Sequence, residues 1–534
     1  MAKEPMSARL RMTWKKSCVA TLVSATATLT VSSVASAQIS TIIDLPKNAP
    51  LSEMIRQAAR YLQSNDSFHS GRLMGGAQIA SEKSDFVLKR ATGDAISTTL
   101  QYVPVFGGIE VLGRATRFHF DARGKMRFVN DAKAVNVNTT PALSQKDVLA
   151  TLRDRYNTNP VIETGPTLKI FQDFSGTHRL IYAITTKTTE DHRGQKIYLD
   201  AHTGAFIMEA PRTYDLHAAT DTRTFRKMFG DLAAANAQVT GKHVVMSADT
   251  QKALSKTGRD GYPSGFDLDW YDTVYTDDKG FDMDIADRAA VNALVNARRV
   301  YEYYKSTFGR SSYNNKDSLI TSVVHVGRNM NNAMWSDEIG SMLYGDGDER
   351  LFRDLTIGLD VAGHEMTHGV ISTSANLEYA AESGALNESF ADFFGKMIDY
   401  VPGDWDIGAT IMAEGFRHKR RALRNMIHPE EFDQPGDNDS NLRESTRGPC
   451  SPFNDMCGVH TNSGIPNKAS ALMVVALGKE KVENLYYQVL TKHLTASSDF
   501  SDMRKQTEQA CDIMYGKSST ECAAVTKAFD TVKM

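Results

Sequence analysis

DVAGHEMTHGV, Asp360 to Val370, followed by GALNESFADFFG, Gly384 to Gly395, decides how this chain is read. His364 and His368 stand four residues apart. On a helix both imidazoles project from one face, a turn apart, and can reach one zinc ion, while Glu365 beside the first can address a water at that ion. Two histidines leave zinc one short of the three protein ligands of a catalytic site, and Glu388 is the candidate for the third. Glu388 and Asp392 share a face of the second helix. A pair of acids on a helix is most often solvated, but the apolar Leu386, Phe390, Phe393 and Phe394 around this pair argue for burial. Asp392 is suited to accept a hydrogen bond from the free ring nitrogen of His364, which fixes the tautomer and raises ligand basicity. Asn387 is placed with Asp392 among the residues that support the ligands.

The rest of the chain sets the context. Its 534 residues exceed one ordinary core and predict several units. Hydrophobic residues at 41% and charged ones at 23% are those of globular protein. With 61 basic against 64 acidic residues, no basic surface large enough to follow a phosphate backbone is implied, so nucleic acid is excluded as a partner class. Lys3, Arg9, Arg11, Lys15 and Lys16 precede a charge-free stretch from Ser17 to Ala37 that ends Ala35-Ser36-Ala37. This is the layout of a cleaved signal peptide, too rich in Ser, Thr and Ala for a stable membrane anchor, and it predicts secretion. Cys18 would leave with it. Four cysteines remain, Cys450, Cys457, Cys511 and Cys522, and an oxidising destination favours disulfides over zinc, for which neither pair has C-x-x-C spacing. Neighbour pairing is the expectation, although four cysteines allow three connectivities.

From Ile39 to about Pro211 short strands alternate with occasional helices. Tyr102 to Leu112 is a β-type run; Ser144 to Tyr156 is a serine-capped helix; Leu180 to Thr186, Lys196 to Leu199 and Ala205 to Glu209 are strands, the last two joined by a turn at Asp200 to Gly204. Two small α+β modules are expected. Arg212 to Ile285 reads as a processing junction and an irregular β-rich segment. Beyond it Arg288 to Phe308 is helical, Leu319 to Val326 is a strand, and Gly384 to Tyr400, Lys468 to Leu477 and Lys481 to Thr491 are helices.

HEMTH, followed by Glu388 in the NESFAD context, resembles the thermolysin-type (gluzincin) metallopeptidases. NNAMWSDEIGSMLYGDGD, Asn331 to Asp348, is similar to that family's substrate-edge strand, and GVHTNSGIPNKA, Gly458 to Ala469, to its second catalytic helix region. The resemblance implies an α+β fold: a two-lobed catalytic domain, with a β-rich amino-terminal lobe and a helical carboxy-terminal lobe, preceded by an α+β propeptide. It makes Glu365 the general base toward the attacking water. His460 and Tyr379 become donors to the developing oxyanion, with Asp455 orienting His460. Asn332, Ala333 and Arg424 would hold an extended peptide. Phe352, Leu355, Val361, Ile407, Ile411 and Leu423 would form an apolar primed-side pocket, so that cleavage precedes a bulky hydrophobic residue; ordinary core is the plainer reading of the same six. Asp360, Asp399, Asp404 and Asp406 match the family's calcium cluster. Ala409 stands where two-calcium members carry glutamate, so one calcium ion is expected beside one catalytic zinc.

YVPVFGGIEV and YLDAHTGAF are similar to the family's fungalysin/thermolysin propeptide and PepSY modules. They imply a prosegment that assists folding, blocks the cleft and is removed autocatalytically. The expected division is a signal peptide at 1–37, propeptide modules at 38–125 and 126–212, a peptidase amino-terminal lobe with the zinc helix at 213–375, and a helical lobe at 376–534. Protein and peptide substrates, the chain's own prosegment and a monomeric state complete the expectation. Two rivals are a decayed, merely binding zinc protein and a zinc hydrolase of another kind. The first conflicts with the presence of Glu365, His460 and Tyr379, and the second with the apolar subsite positions.

Overall fold

The computed structural model describes residues 42–44, 50–64, 84–130, 135, 137–173, 177–187, 194–215, 243–247, 272–276, 280–281, 288–327, 329–446 and 449–534. The signal-peptide reading of 1–37 and most of the junction expected at Arg212 to Ile285 lie outside the described residues.

The first module is a six-stranded sheet of β1 (Ile42–Asp44), β2 (Ser84–Gly93), β3 (Ser97–Phe106), β4 (Ile109–Glu110), β5 (Thr116–Asp121) and β6 (Met126–Asn130), ordered β1-β2-β3-β5-β6 with β4 on β3. Helix α1 (Leu51–Ser64) covers it, burying Met54 and Ala58 against Leu100, Phe118 and Phe120. The β-type run from Tyr102 to Leu112 folds as a hairpin. Gly107 and Gly108 both take positive φ and turn the chain between β3 and β4. Because β6 pairs with β5, this sheet also continues past the boundary expected at 125/126.

The second module is a four-stranded antiparallel sheet, β10-β9-β8-β7, of β7 (Ile162–Gln172), β8 (His178–Thr186), β9 (Gln195–Asp200) and β10 (Phe206–Pro211). Helix α2 (Gln145–Tyr156) begins at Ser144 with a capping box closed by Asp147, and its Val148 and Leu152 enter the core below.

A seven-stranded sheet follows, ordered β11-β16-β17-β15-β12-β13-β14: β11 (Thr213–Asp215), β12 (His243–Ser247), β13 (Asp272–Thr276), β14 (Gly280–Phe281), β15 (Ile320–Val324), β16 (Ala333–Ser336) and β17 (Ser341–Tyr344). Its largest neighbour in the core is α3 (Arg288–Phe308), which spans the residues its apolar spacing predicts. Next come α4 (Leu359–Ser372) and α5 (Ala381–Ile398), which carry the two opening motifs. They pack closely because Gly363 and Gly395 face each other. A Cβ on Gly395 would lie 2.6 Å from the Asp360 carbonyl oxygen and 3.1 Å from the His364 nitrogen, so only glycine permits the approach.

The remaining helices are α6 (Asp455–Asn462), α7 (Gly464–Leu477), α8 (Lys479–Gln488), α9 (Phe500–Tyr515) and α10 (Thr520–Thr531). The helix expected from Lys481 to Thr491 ends early as α8 and continues as a π-turn, Val489–His493. The cysteines pair as neighbours, Cys450 with Cys457 and Cys511 with Cys522. This sheet and these helices are the β-rich and helical lobes expected, and α4 and α5 lie in their shared core. Among the described residues no helix is long and apolar enough to cross a membrane.

Candidate metal centre

His364, Glu365 and His368 of α4 and Glu388 and Asp392 of α5 are all fully buried. Burial of five ionisable groups is costly unless they answer one another, and four of them visibly do. His364 Nδ1 lies 2.9 Å from Asp392 Oδ1, and His368 Nδ1 lies 2.8 Å from Asn387 Oδ1. The Asn387 amide is oriented by its own NH2 group, which donates to the Leu377 carbonyl at 3.2 Å, so its oxygen faces the imidazole as an acceptor. Both Nδ1 atoms therefore donate, and both Nε2 atoms are left with lone pairs.

Those lone pairs converge. The two Nε2 atoms are 3.0 Å apart, and Glu388 places its oxygens 3.4 Å from His364 Nε2 and 3.6 Å from His368 Nε2. Among the described residues this is the only group of three such side chains whose ligand atoms all lie within 4.8 Å of one another. Two imidazole nitrogens and a carboxylate, buried and aimed at one point, fit zinc in donor chemistry and number. The protonation balance agrees with a cation site. Burial alone would depress His364, but the Asp392 and Glu388 carboxylates carry it up to about 9. Burial pushes His368 down to about 3. Burial would raise Glu388, yet His460, His368 and His364 hold it at about 2.

Around this point lie the other expected residues. The Tyr379 hydroxyl is 2.5 Å from Glu388 Oε1 and 3.2 Å from His460 Nε2. Asp455 accepts from the His460 backbone N–H at 2.9 Å and lies 2.5 Å from its Nδ1, which turns Nε2 toward Glu388 at 3.7 Å. The chain reaches this arrangement through a left-handed stretch. Asp455, Met456, Cys457 and Gly458 all have positive φ, and a Cβ on Gly458 would meet Glu444 at 2.3 Å.

Arg424 is buried and donates to both oxygens of Asp392, at 2.8 and 2.6 Å. With the His364 hydrogen bond it keeps that carboxyl, which burial would raise, far below its usual range. Two residues that the sequence did not single out for the site complete it. Asn467 donates to Asp392 Oδ2 at 2.8 Å, and the ring of Tyr214 stacks on His368 at 5.0 Å. Asn467 lies within the GVHTNSGIPNKA motif, which was the available signal; Tyr214 had none. Asn332 immediately precedes β16 and Ala333 opens it, the strand expected to hold a peptide, and β11 pairs along the rest of its edge. Phe352, Leu355, Val361, Ile407 and Ile411 are buried in one core cluster with Leu423 packed on it.

Three of the four acids expected to bind calcium are engaged by groups of the chain itself. Asp360 accepts from the backbone N–H groups of Val361 and Gly408, and Asp406 from Asn425 and Arg421. Asp404 lies 2.7 Å from Nζ of Lys396, a buried lysine that also donates to the Asp406 carbonyl at 3.0 Å. A lysine ammonium therefore stands among these carboxylates.

Comparison with known proteins agrees with this geometry. Residues 184–372 match the model for the thermolysin metallopeptidase catalytic domain, and 375–534 that for the thermolysin metallopeptidase alpha-helical domain. Bacillolysin of Bacillus subtilis (strain 168) is 34% identical over 470 residues, covering 83% of this chain and 84% of its own. Extracellular elastase of Staphylococcus epidermidis is 35% identical over 453 residues, 81% of this chain and 83% of its own. Neutral protease NprE of Bacillus pumilus is 45% identical over 245 residues, 46% of this chain and 77% of its own. With its paired histidines, its glutamate and both domains in order, the chain belongs to the thermolysin family of metallopeptidases.

Proposed function

We propose that this metallopeptidase is a secreted endopeptidase, made as an inactive precursor, that cleaves peptide bonds on the amino side of bulky hydrophobic residues with Glu365 as general base. The observation that carries the reading is the convergence of His364 Nε2, His368 Nε2 and Glu388 at one buried point, with Tyr379 and His460 beside it. These three residues would hold zinc, which would supply Lewis-acid chemistry to the water and the substrate carbonyl.

The chain's own groups do the rest. Glu365 takes the proton of the attacking water and returns it to the leaving amine. The Tyr379 hydroxyl and His460 Nε2 donate to the carbonyl oxygen as it gains charge, and Asp455, on the Nδ1 side of His460, fixes the ring for that task. Asp392 and Asn387 hold the two ligand imidazoles in the required tautomer. Arg424, fixed on Asp392, and the main chain at Asn332 and Ala333 position an extended substrate, and the apolar residues from Phe352 to Leu423 receive its bulky side chain. The residues before the cleft act as inhibitor and folding aid. Support for this comes from Tyr214, whose ring covers His368, and from Lys196 of β9, which pairs with Glu378 at 2.6 Å, one residue before Tyr379. A monomer exported through a cleaved signal peptide completes the proposal.

Casein hydrolysis tests it. Wild-type activity should vanish with a zinc chelator and return with zinc, while Glu365→Gln should retain one zinc per chain and lose turnover by several orders of magnitude. Unchanged proteolysis in Glu365→Gln would refute the assignment of the base.

A further inference from the structure

The short strand β11 lies along β16 as an extended peptide would. Thr213 pairs with Ser336, Tyr214 with Trp335 and Asp215 with Met334, antiparallel, and the Asp337 N–H donates to the Arg212 carbonyl at 3.1 Å. Main-chain pairing of this kind accepts any sequence; side-chain pockets supply the selection. Tyr214 fills such a pocket. Its ring lies nearly parallel to the His368 imidazole, at 5.0 Å and 15°, and meets the Tyr379 ring edge-on at 4.8 Å and 80°. Its hydroxyl donates to Asp337 Oδ2 at 2.6 Å. The other oxygen of Asp337 accepts from the Trp335 indole at 2.8 Å.

We propose that Asp337 is a specificity-determining residue of the cleft, selecting substrates that present a tyrosine to the pocket between His368 and Tyr379, opposite Trp335 in the strand pairing. The inference rests on the endopeptidase reading above and adds a second substrate preference to it. Two flat neighbours favour an aromatic ring, and the carboxylate at the ring's far end distinguishes among aromatics. Phenylalanine fills the same space but leaves the Asp337 carboxylate without the donor that Tyr214 provides, and a hydrogen bond to a charged acceptor is among the strong ones. Asp337 is also held in place independently of the occupant, by Trp335 and by the Ser372 side chain, so it stays aimed into the pocket when Tyr214 departs.

The test uses the zinc-loaded enzyme released from the full chain and three quenched fluorescent peptides. The first copies residues 209–218 (EAPRTYDLHA); the other two carry phenylalanine or O-methyltyrosine in place of Tyr214. The expected kcat/KM for the tyrosine peptide exceeds that of both others by roughly 10- to 100-fold. In Asp337→Asn the three values should converge to within about threefold, since the neutral amide is a weaker acceptor. Equal values for the three peptides in the wild type, or an undiminished ratio in Asp337→Asn, overturn the proposal. Should Asp337→Asn fail to fold, the O-methyltyrosine arm decides alone, because that ring has no proton to give. Failure of the endopeptidase reading looks different: none of the peptides, nor casein, is then cleaved, and the inference falls with it.

Discussion

Among the described residues two pairs of histidines are buried, and one of the two makes a metal centre. His364 and His368 meet edge-to-face, with ring centroids 4.7 Å apart at 85°. His119 of β5 and His493 of the π-turn stack flat, 4.1 Å apart at 8°. All four are fully buried. What differs is the sign of the charge around them. The first pair is ringed by Asp392 and Glu388, which raise His364 and aim three lone-pair donors at one point. The second sits among cations: Arg117 donates to the His493 carbonyl, and Lys492 pairs with Asp94 at 2.7 Å. Asp502, the nearby carboxylate, is taken by Arg117 and Ser498. Burial and those cations push His119 well down, and burial with Lys492 and Arg117 takes His493 to about 3. A buried histidine is thus not in itself a ligand; its neighbours decide whether it holds a cation or packs as a neutral ring.

The largest effect that could break this contrast is deletion within either pair. His364→Ala should leave less than stoichiometric zinc and lower casein hydrolysis by about 10⁴-fold or more, since catalytic zinc uses all three protein ligands. His493→Phe, which preserves a flat ring, should keep one zinc per chain. Loss of zinc from His493→Phe, measured by elemental analysis, would erase the distinction.

A smaller effect sharpens the role of the surrounding carboxylate. Asp392→Asn keeps the shape but removes the charge that raises His364, and zinc affinity by chelator competition should fall roughly 10- to 100-fold. Unaltered affinity would mean that the ligand geometry alone suffices.

The cation-ringed pair predicts a pH dependence of known sign. Both imidazoles lie below their usual value in the folded precursor, so the unfolded chain binds more protons under about pH 6.5 and stability falls with acid. Their contribution is complete above that pH. Each group should then take away about 1.4 kcal/mol per pH unit as the pH drops below 6.5 toward the folded value. Denaturant titrations of the Glu365→Gln precursor between pH 7 and 5 measure the slope, and His493→Phe should reduce it by about 1.4 kcal/mol per pH unit. No change on removing His493 would show that other groups set the acid response.

The same rule covers Lys396. With an ammonium already bridging Asp404 and the Asp406 carbonyl, a calcium-selective chelator should leave the Tm of the zinc-loaded protein within about 2 °C. A larger drop, reversed by calcium, would restore the calcium ion expected from the acidic residues.

Much of the centre is readable from local spacing. Four-residue intervals on two helices place His364, His368, Glu388 and Asp392, and apolar periodicity delimits Arg288 to Phe308, because both signals lie within a few turns of one helix. What is not readable depends on segments far apart in the chain. Tyr214 reaches His368 only because β11 joins a sheet whose next strand is more than a hundred residues away. His119 meets His493 across most of the molecule, and neither lies in a motif. The acids expected to bind calcium show the same limit: four of them match a pattern, while Lys396, read from sequence as one more residue of a helix, turns inward among them.

Anomalous diffraction at the zinc edge, from crystals of the purified full-length Glu365→Gln protein, tests the central claim most directly. The account predicts one strong peak per chain, bonded to His364 Nε2, His368 Nε2 and Glu388, and none at His119 and His493. A peak between the stacked rings, or an empty point between His364, His368 and Glu388 in zinc-replete crystals, would contradict it.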